Sequence, residues 1–178
     1  MWRASFHGAV RSPIWYIPTG FAHRAARFAF LIGKWRCRAK LKSEADQYQT
    51  FEATWLGRFI LDGHAIADEY RMTNASGELI ALGMNFRSFD TKKKVWNIRW
   101  LDALTGAWTD LASEELGGVK FNNQSITYTF KEPVADHAYT RVTYRIISEA
   151  HFTWQGEKSE DGRLWSEFML VEAHRTED

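Results

Sequence analysis

Residues 59–100 constrain the fold more than any other part of the chain. They contain FILDGHAIADEYRM, ELIALGMNFRSFD and VWNIRW, three strand-like runs separated by turn signals at Asn74–Gly77 and Thr91–Lys94. Side chains alternate along a strand, so each turn decides which residues of its two strands share a face. Pairing Thr73 with Glu78 sets Tyr70 opposite Ala81, Asp68 opposite Gly83, Ile66 opposite Asn85 and His64 opposite Arg87. Pairing Asp90 with Val95 sets Phe89 opposite Trp96, Arg87 opposite Ile98 and Asn85 opposite Trp100. The two hairpins, registered separately, agree on one face. It carries His64, Asp68, Tyr70, Asn85, Arg87, Phe89, Trp96, Ile98 and Trp100, with the small Ala81 and Gly83 leaving space opposite Tyr70 and Asp68. Charged groups beside two tryptophans have the character of a pocket wall. The opposite face is partly apolar too, and the first is taken as the inner one because it holds both tryptophans.

The rest of the chain continues the pattern. FLIGKWRCRAKLK starts apolar and then alternates, with Trp35, Cys37, Ala39 and Leu41 on one side and basic residues on the other. TFEATWL, ITYTF, TRVTYRII, HFTWQ and LWSEFMLVEAH read as further strands, the last two joined at Glu160-Asp161-Gly162. Nine or ten short strands with short loops predict an antiparallel sandwich or closed barrel. The 9 Trp, 12 Phe and 6 Tyr suit such a fold, because aromatic residues favour strands and bring large apolar areas. Pro13 and Pro18 make residues 1–20 irregular, and Thr19 is placed to cap a short helix over Ala22–Phe28. The expected organisation is an arm with a short helix at 1–27, followed by a barrel at 28–178.

Charge and cysteine content exclude several classes. The net charge of +1 gives no reason to expect nucleic acid. Nine Lys or Arg precede the first acidic residue, Glu44, so residues 1–43 are basic, the arm included, and residues 44–178 are acidic. The simplest reading lays the arm on its own barrel; it could also dock a second copy of the chain. The longest apolar run of residues 1–43, Phe28–Ile32, is too short for a signal peptide, and no run reaches membrane-spanning length. One cysteine, Cys37, cannot form an internal disulfide, and no Cys/His spacing fits zinc, so a cytoplasmic protein without a metal is expected.

FAFLIGKWRCRAKLK is similar to the opening strand of lipocalin-like proteins, with Gly33 and Trp35 as the Gly-x-Trp pair. Together with LDGHAIADEY, FRSFDTKKKVWNIRW and FTWQGEKSEDGRLWSE, it resembles one bacterial lipocalin-like family, most of whose members have no known function. The likeness spans about Phe28 to Arg175. It implies an eight- to ten-stranded antiparallel barrel around a ligand cavity, with the tryptophan closing one end. His64 stands where relatives often carry arginine, and the basic arm is unusual.

Binding of a small, partly aromatic or hydrophobic molecule is the expected function, because barrels of this kind bind more often than they catalyse. Asn85, Phe89, Trp96, Ile98 and Trp100 would line the cavity, with Glu167 at its rim. The alternative is a metal-free isomerase, lyase, hydratase or cyclase. Asp68, His64 or Tyr70 would move a proton and Arg87 would hold an oxyanion. The plainer reading of Arg87 is a buried brace for the tryptophans, neutralised by Asp68. His137, His151 and His174 are candidates for a single haem ligand, but no partner motif supports haem and no cofactor is expected.

Overall fold

A computed structural model of the chain describes residues 26–43, 45–132 and 138–176. The arm and the Thr19 cap lie outside the described residues; what is seen before the first strand is a 3-10 helix, Ala26–Leu31. Eleven strands follow: β1 Gly33–Lys42, β2 Tyr48–Ile60, β3 Ala65–Thr73, β4 Leu79–Asp90, β5 Val95–Asp102, β6 Trp108–Asp110, β7 Lys120–Phe121, β8 Ser125–Lys131, β9 Tyr139–Ser148, β10 His151–Ser159 and β11 Ser166–Arg175. All the ladders are antiparallel, in one sheet of order β6-β5-β4-β3-β2-β1-β11-β10-β9-β8-β7. The strand total exceeds the expected eight to ten because β6 and β7, of three and two residues, pair too briefly to mark the sequence.

The sheet curls so that one face of every long strand meets the same interior. In β1, Trp35, Cys37 and Ala39 are buried, while Lys34, Arg36, Arg38 and Lys40 are exposed. The two edge strands, β6 and β7, share no ladder among the described residues; side chains close the gap between the two ends of the sheet. Trp96 of β5 and Phe121 of β7 have ring centroids 6.3 Å apart, and Phe28 packs edge-on against both, at 4.9 and 5.7 Å. Edge-to-face rings are the favoured geometry of such clusters.

The end of the barrel beneath the 3-10 helix is sealed by Trp35. Its indole Nε1 donates to the Leu31 carbonyl at 3.1 Å and its ring meets Phe152 edge-on at 4.7 Å. The Arg175 guanidinium lies over Trp35, 4.2 Å from the ring, and donates to the carbonyls of Ile32, Phe30 and Glu149. The last residue of β11 therefore ties the first turn to the β9–β10 connection, satisfying carbonyls that a 3-10 end leaves open.

Candidate functional site

The β4–β5 ladder pairs Asn85 with Trp100, Arg87 with Ile98 and Phe89 with Trp96, the register read from the sequence. The β3–β4 ladder runs two residues further than expected. Tyr70 meets Gly83, Asp68 meets Asn85 and Ile66 meets Arg87. The turn takes one residue more, since Asn74 Oδ1 accepts the N–H groups of Ser76 and Glu78, and a bulge between Met72 and Thr73 adds another. An offset of two leaves every side chain on its face. Asp68, Tyr70, Asn85, Arg87, Trp96 and Ile98 are all buried. His64 departs from the expectation: Leu61 and Asp62 adopt positive φ, a 3-10 turn ends at His64, and its side chain is exposed. The strand starts only at Ala65, so His64 does not share the inner face with Arg87.

Asp68 and Arg87, both 0% exposed, form the centre of a buried network. Arg87 Nε donates to Asp68 Oδ2 at 2.6 Å and Nη2 to Oδ1 at 3.0 Å, a two-point ion pair. Trp55 Nε1 and Asn85 Nδ2 each donate to Asp68 Oδ1 at 2.9 Å. Arg87 Nη2 also donates to the Tyr144 hydroxyl at 2.9 Å, and the guanidinium lies 4.8 Å from the Phe28 ring. Burial works against charge on Arg87, but the Asp68 carboxylate beside it prevails and holds the guanidinium charged well above its ordinary value. Burial likewise raises the Tyr144 phenol, against the opposing pull of Arg87, so Tyr144 stays neutral.

A cavity of about 380 Å³ opens above this network. Trp55, Tyr70, Met72, Ala81, Asn85 and Trp100 line one side. Tyr128, Phe130, Val142, Tyr144, Trp154, Phe168, Met169 and Val171 line the other. Asp102, Thr109, Glu132 and Thr140 add polar groups, with Thr140 Oγ1 donating to Glu132 at 3.0 Å. Glycines seat two of the indoles. A Cβ at Gly83 would come within 2.1 Å of Trp100, and one at Gly156 within 2.6 Å of both Trp154 and Phe168. The space expected at Gly83 is thus filled by Trp100 from the neighbouring strand, whereas Ala81 does border the cavity.

Several expected site residues therefore stand elsewhere. Asp68 and Arg87 do not border the cavity; they lie behind Trp55, Asn85 and Tyr144, which do. Phe89, Trp96 and Ile98 join the packing about Phe28 or the core, away from the cavity lining. Glu167 is outside the lining as well: it accepts from Tyr48 Oη and from Gln155 Nε2. His151 and His174 stand on the outer face, not in the cavity, and His137 lies outside the described residues. Tyr128, Tyr144, Trp154 and Phe168 are among the site residues that sequence reasoning missed, since no short turn ties β8–β11 to the opening hairpins, and Trp55 of β2 was missed as well. Spacing also missed the cluster of His151, Glu172 and His174, which strand pairing assembles.

Comparison with known proteins agrees with this architecture. Rv2717c from M. tuberculosis superposes with a TM-score of 0.59 at 10% identity, over 86% of this chain and 98% of its own. The S-type phycobiliprotein lyase CPES from Guillardia theta gives 0.54 at 10% identity, over 86% of this chain and 92% of its own. At such identities the likeness is one of fold. A search of curated proteins finds no match. A family model described as a protein of unknown function, DUF1579, matches residues 22–175, nearly the whole barrel. The chain belongs to the DUF1579 family.

Proposed function

We propose that the barrel binds one small, partly aromatic molecule of neutral or positive charge. The observation that carries this is the composition of the cavity wall. Among the described residues eight of the lining are aromatic, and the charged side chains there, Asp102 and Glu132, are both acidic. A volume of about 380 Å³ falls within the usual range for small-molecule sites. Aromatic faces attract cations as well as flat apolar rings, and carboxylates at a low-dielectric wall repel anions. Arg87 does not reverse this, because Asp68 neutralises it behind the wall.

The enzymatic alternative is weaker on this geometry. The Asp68 carboxylate already accepts four hydrogen bonds, so it has little capacity left to take a proton from a substrate. Tyr144, neutral and engaged by Arg87, suits hydrogen bonding better than proton abstraction.

Three probes of one shape test the reading: 2-naphthylmethylamine, 2-naphthylmethanol and 2-naphthoate, titrated by quenching of tryptophan fluorescence. Saturable binding of the amine and the alcohol, with naphthoate at least about tenfold weaker, is expected. Ala81→Phe, which fills the cavity, should abolish binding while preserving the circular dichroism spectrum. Equal affinity for all three probes would refute the charge preference. Binding unaffected by Ala81→Phe would refute the cavity as the site.

A further inference from the structure

We infer that His151, Glu172 and His174 form a site for a divalent transition ion of the zinc type on the outer face of the barrel. The β10–β11 ladder sets His151 directly opposite His174, and Glu172, two residues along β11, points to the same side. The two imidazoles stack, with centroids 4.3 Å apart and planes 22° from parallel. Glu172 Oε1 lies 3.4 Å from His151 Nε2 and 3.7 Å from His174 Nε2. The three donor atoms all fall within 4.8 Å of one another. A tetrahedral ion with bonds of about 2.0–2.1 Å holds its donors about 3.4 Å apart. Small side-chain rotations therefore suffice to close the site, without backbone movement.

A second observation points the same way. His151 Nε2 is buried and has no hydrogen-bond partner among the described residues, its approach to Glu172 lacking hydrogen-bond geometry. A buried ring nitrogen in that state is suited to accept a ligand bond. His174 and Glu172 are more than half exposed, so an ion can enter and a fourth position remains open to water. Arg36 and Arg38 of β1 stand opposite His174 and Glu172. Neither forms an ion pair with Glu172 among the described residues, whose carboxylate approaches the two imidazoles instead. Their charge opposes any cation, and it disfavours most an ion that gains little from imidazole. Two nitrogens and one carboxylate select zinc, nickel or copper over magnesium or calcium. A bound ion would clamp β10 to β11 behind the wall carrying Trp154 and Val171.

The test uses the full chain free of any histidine tag, titrated with Zn2+ against a chromophoric chelator, and with Co2+ followed by its visible absorption. Expected are one ion per chain and an intense tetrahedral cobalt spectrum. Zn2+ should raise the thermal midpoint, and Ca2+ should not. His174→Ala, at an exposed position, should weaken binding about tenfold or more, and His151→Ala likewise. Two results would overturn the inference. One is no zinc binding below millimolar concentration. The other is undiminished binding in the double variant, which would assign the ion to His7, His23, His64 or His137.

Discussion

Replacing Arg87 by methionine tests the buried network directly. Methionine keeps much of the aliphatic stem and fills part of the same space, but removes the guanidinium. Asp68 would lose two of its four hydrogen bonds and its charge partner among the described residues while remaining fully enclosed. Breaking one side of a buried ion pair costs about 3–5 kcal/mol, because an uncompensated charge is left behind. In a chain of 178 residues, each kcal/mol shifts the thermal midpoint by about 2–4 °C. The expected fall is therefore about 6–20 °C, measured by calorimetry at neutral pH. The second arm is Arg87→Met combined with Asp68→Asn. The asparagine oxygen can still accept from Trp55 and Asn85, and no charge is stranded, so the double variant should be more stable than Arg87→Met alone. The reasoning fails if Arg87→Met loses less than about 1 kcal/mol, or if the double variant loses the sum of the two single losses.

Two further outcomes follow from named groups. Burial pushes the Cys37 thiol up to about 12, so modification by a thiol reagent at pH 8 should run about a thousandfold slower in the folded chain than in denaturant. A comparable rate in both states would mean that the interior of β1 opens readily. Asp161 accepts the N–H groups of Leu164 and Arg163 at the β10–β11 turn, and these bonds hold its carboxyl below the ordinary 3.8. A lowered folded value contributes stability that is complete above the ordinary value and vanishes as pH falls through the folded one. Asp161→Asn should thus lower stability at pH 6 and lose that effect near pH 2; a penalty constant with pH would contradict the assignment.

Face membership was readable from residues 59–100 because the register errors there happened to cancel. One extra turn residue and one bulge moved β4 by two, and the face survived. The β10–β11 hairpin shows the opposite case. Its ladder shifts by one residue between Gly156 and Glu157, pairing His151 with His174. Counting from the turn without that bulge would pair His151 with Ala173 and put the two histidines on opposite faces. Depth along the barrel axis was not readable either. Alternation separates inside from outside, but it does not distinguish the wall at Trp100 from the plug at Trp96 or the layer at Arg87. That distinction depends on the strands opposite, β8–β11, whose backbone pairing with the opening hairpins runs, among the described residues, through the β1–β11 ladder at the far end of the sequence.

That ladder also orders events during synthesis. It pairs residues 35–41 with residues 169–175, joining the first and last strands among the described residues. A growing chain can pair β1 with β2 and extend the sheet to β6, but until β11 leaves the ribosome β1 remains an open edge. A bare edge of that length recruits strands from other molecules. Lys34, Arg36, Arg38 and Lys40 alternate along it, pointing outward. Charge of that kind is ordinary on the outer face of a finished barrel, and on an open edge it also disfavours pairing with a like-charged strand. During the interval before closure the same charges would set one nascent β1 edge against another, so their replacement by uncharged residues should raise aggregation during refolding more than it lowers the stability of the closed barrel.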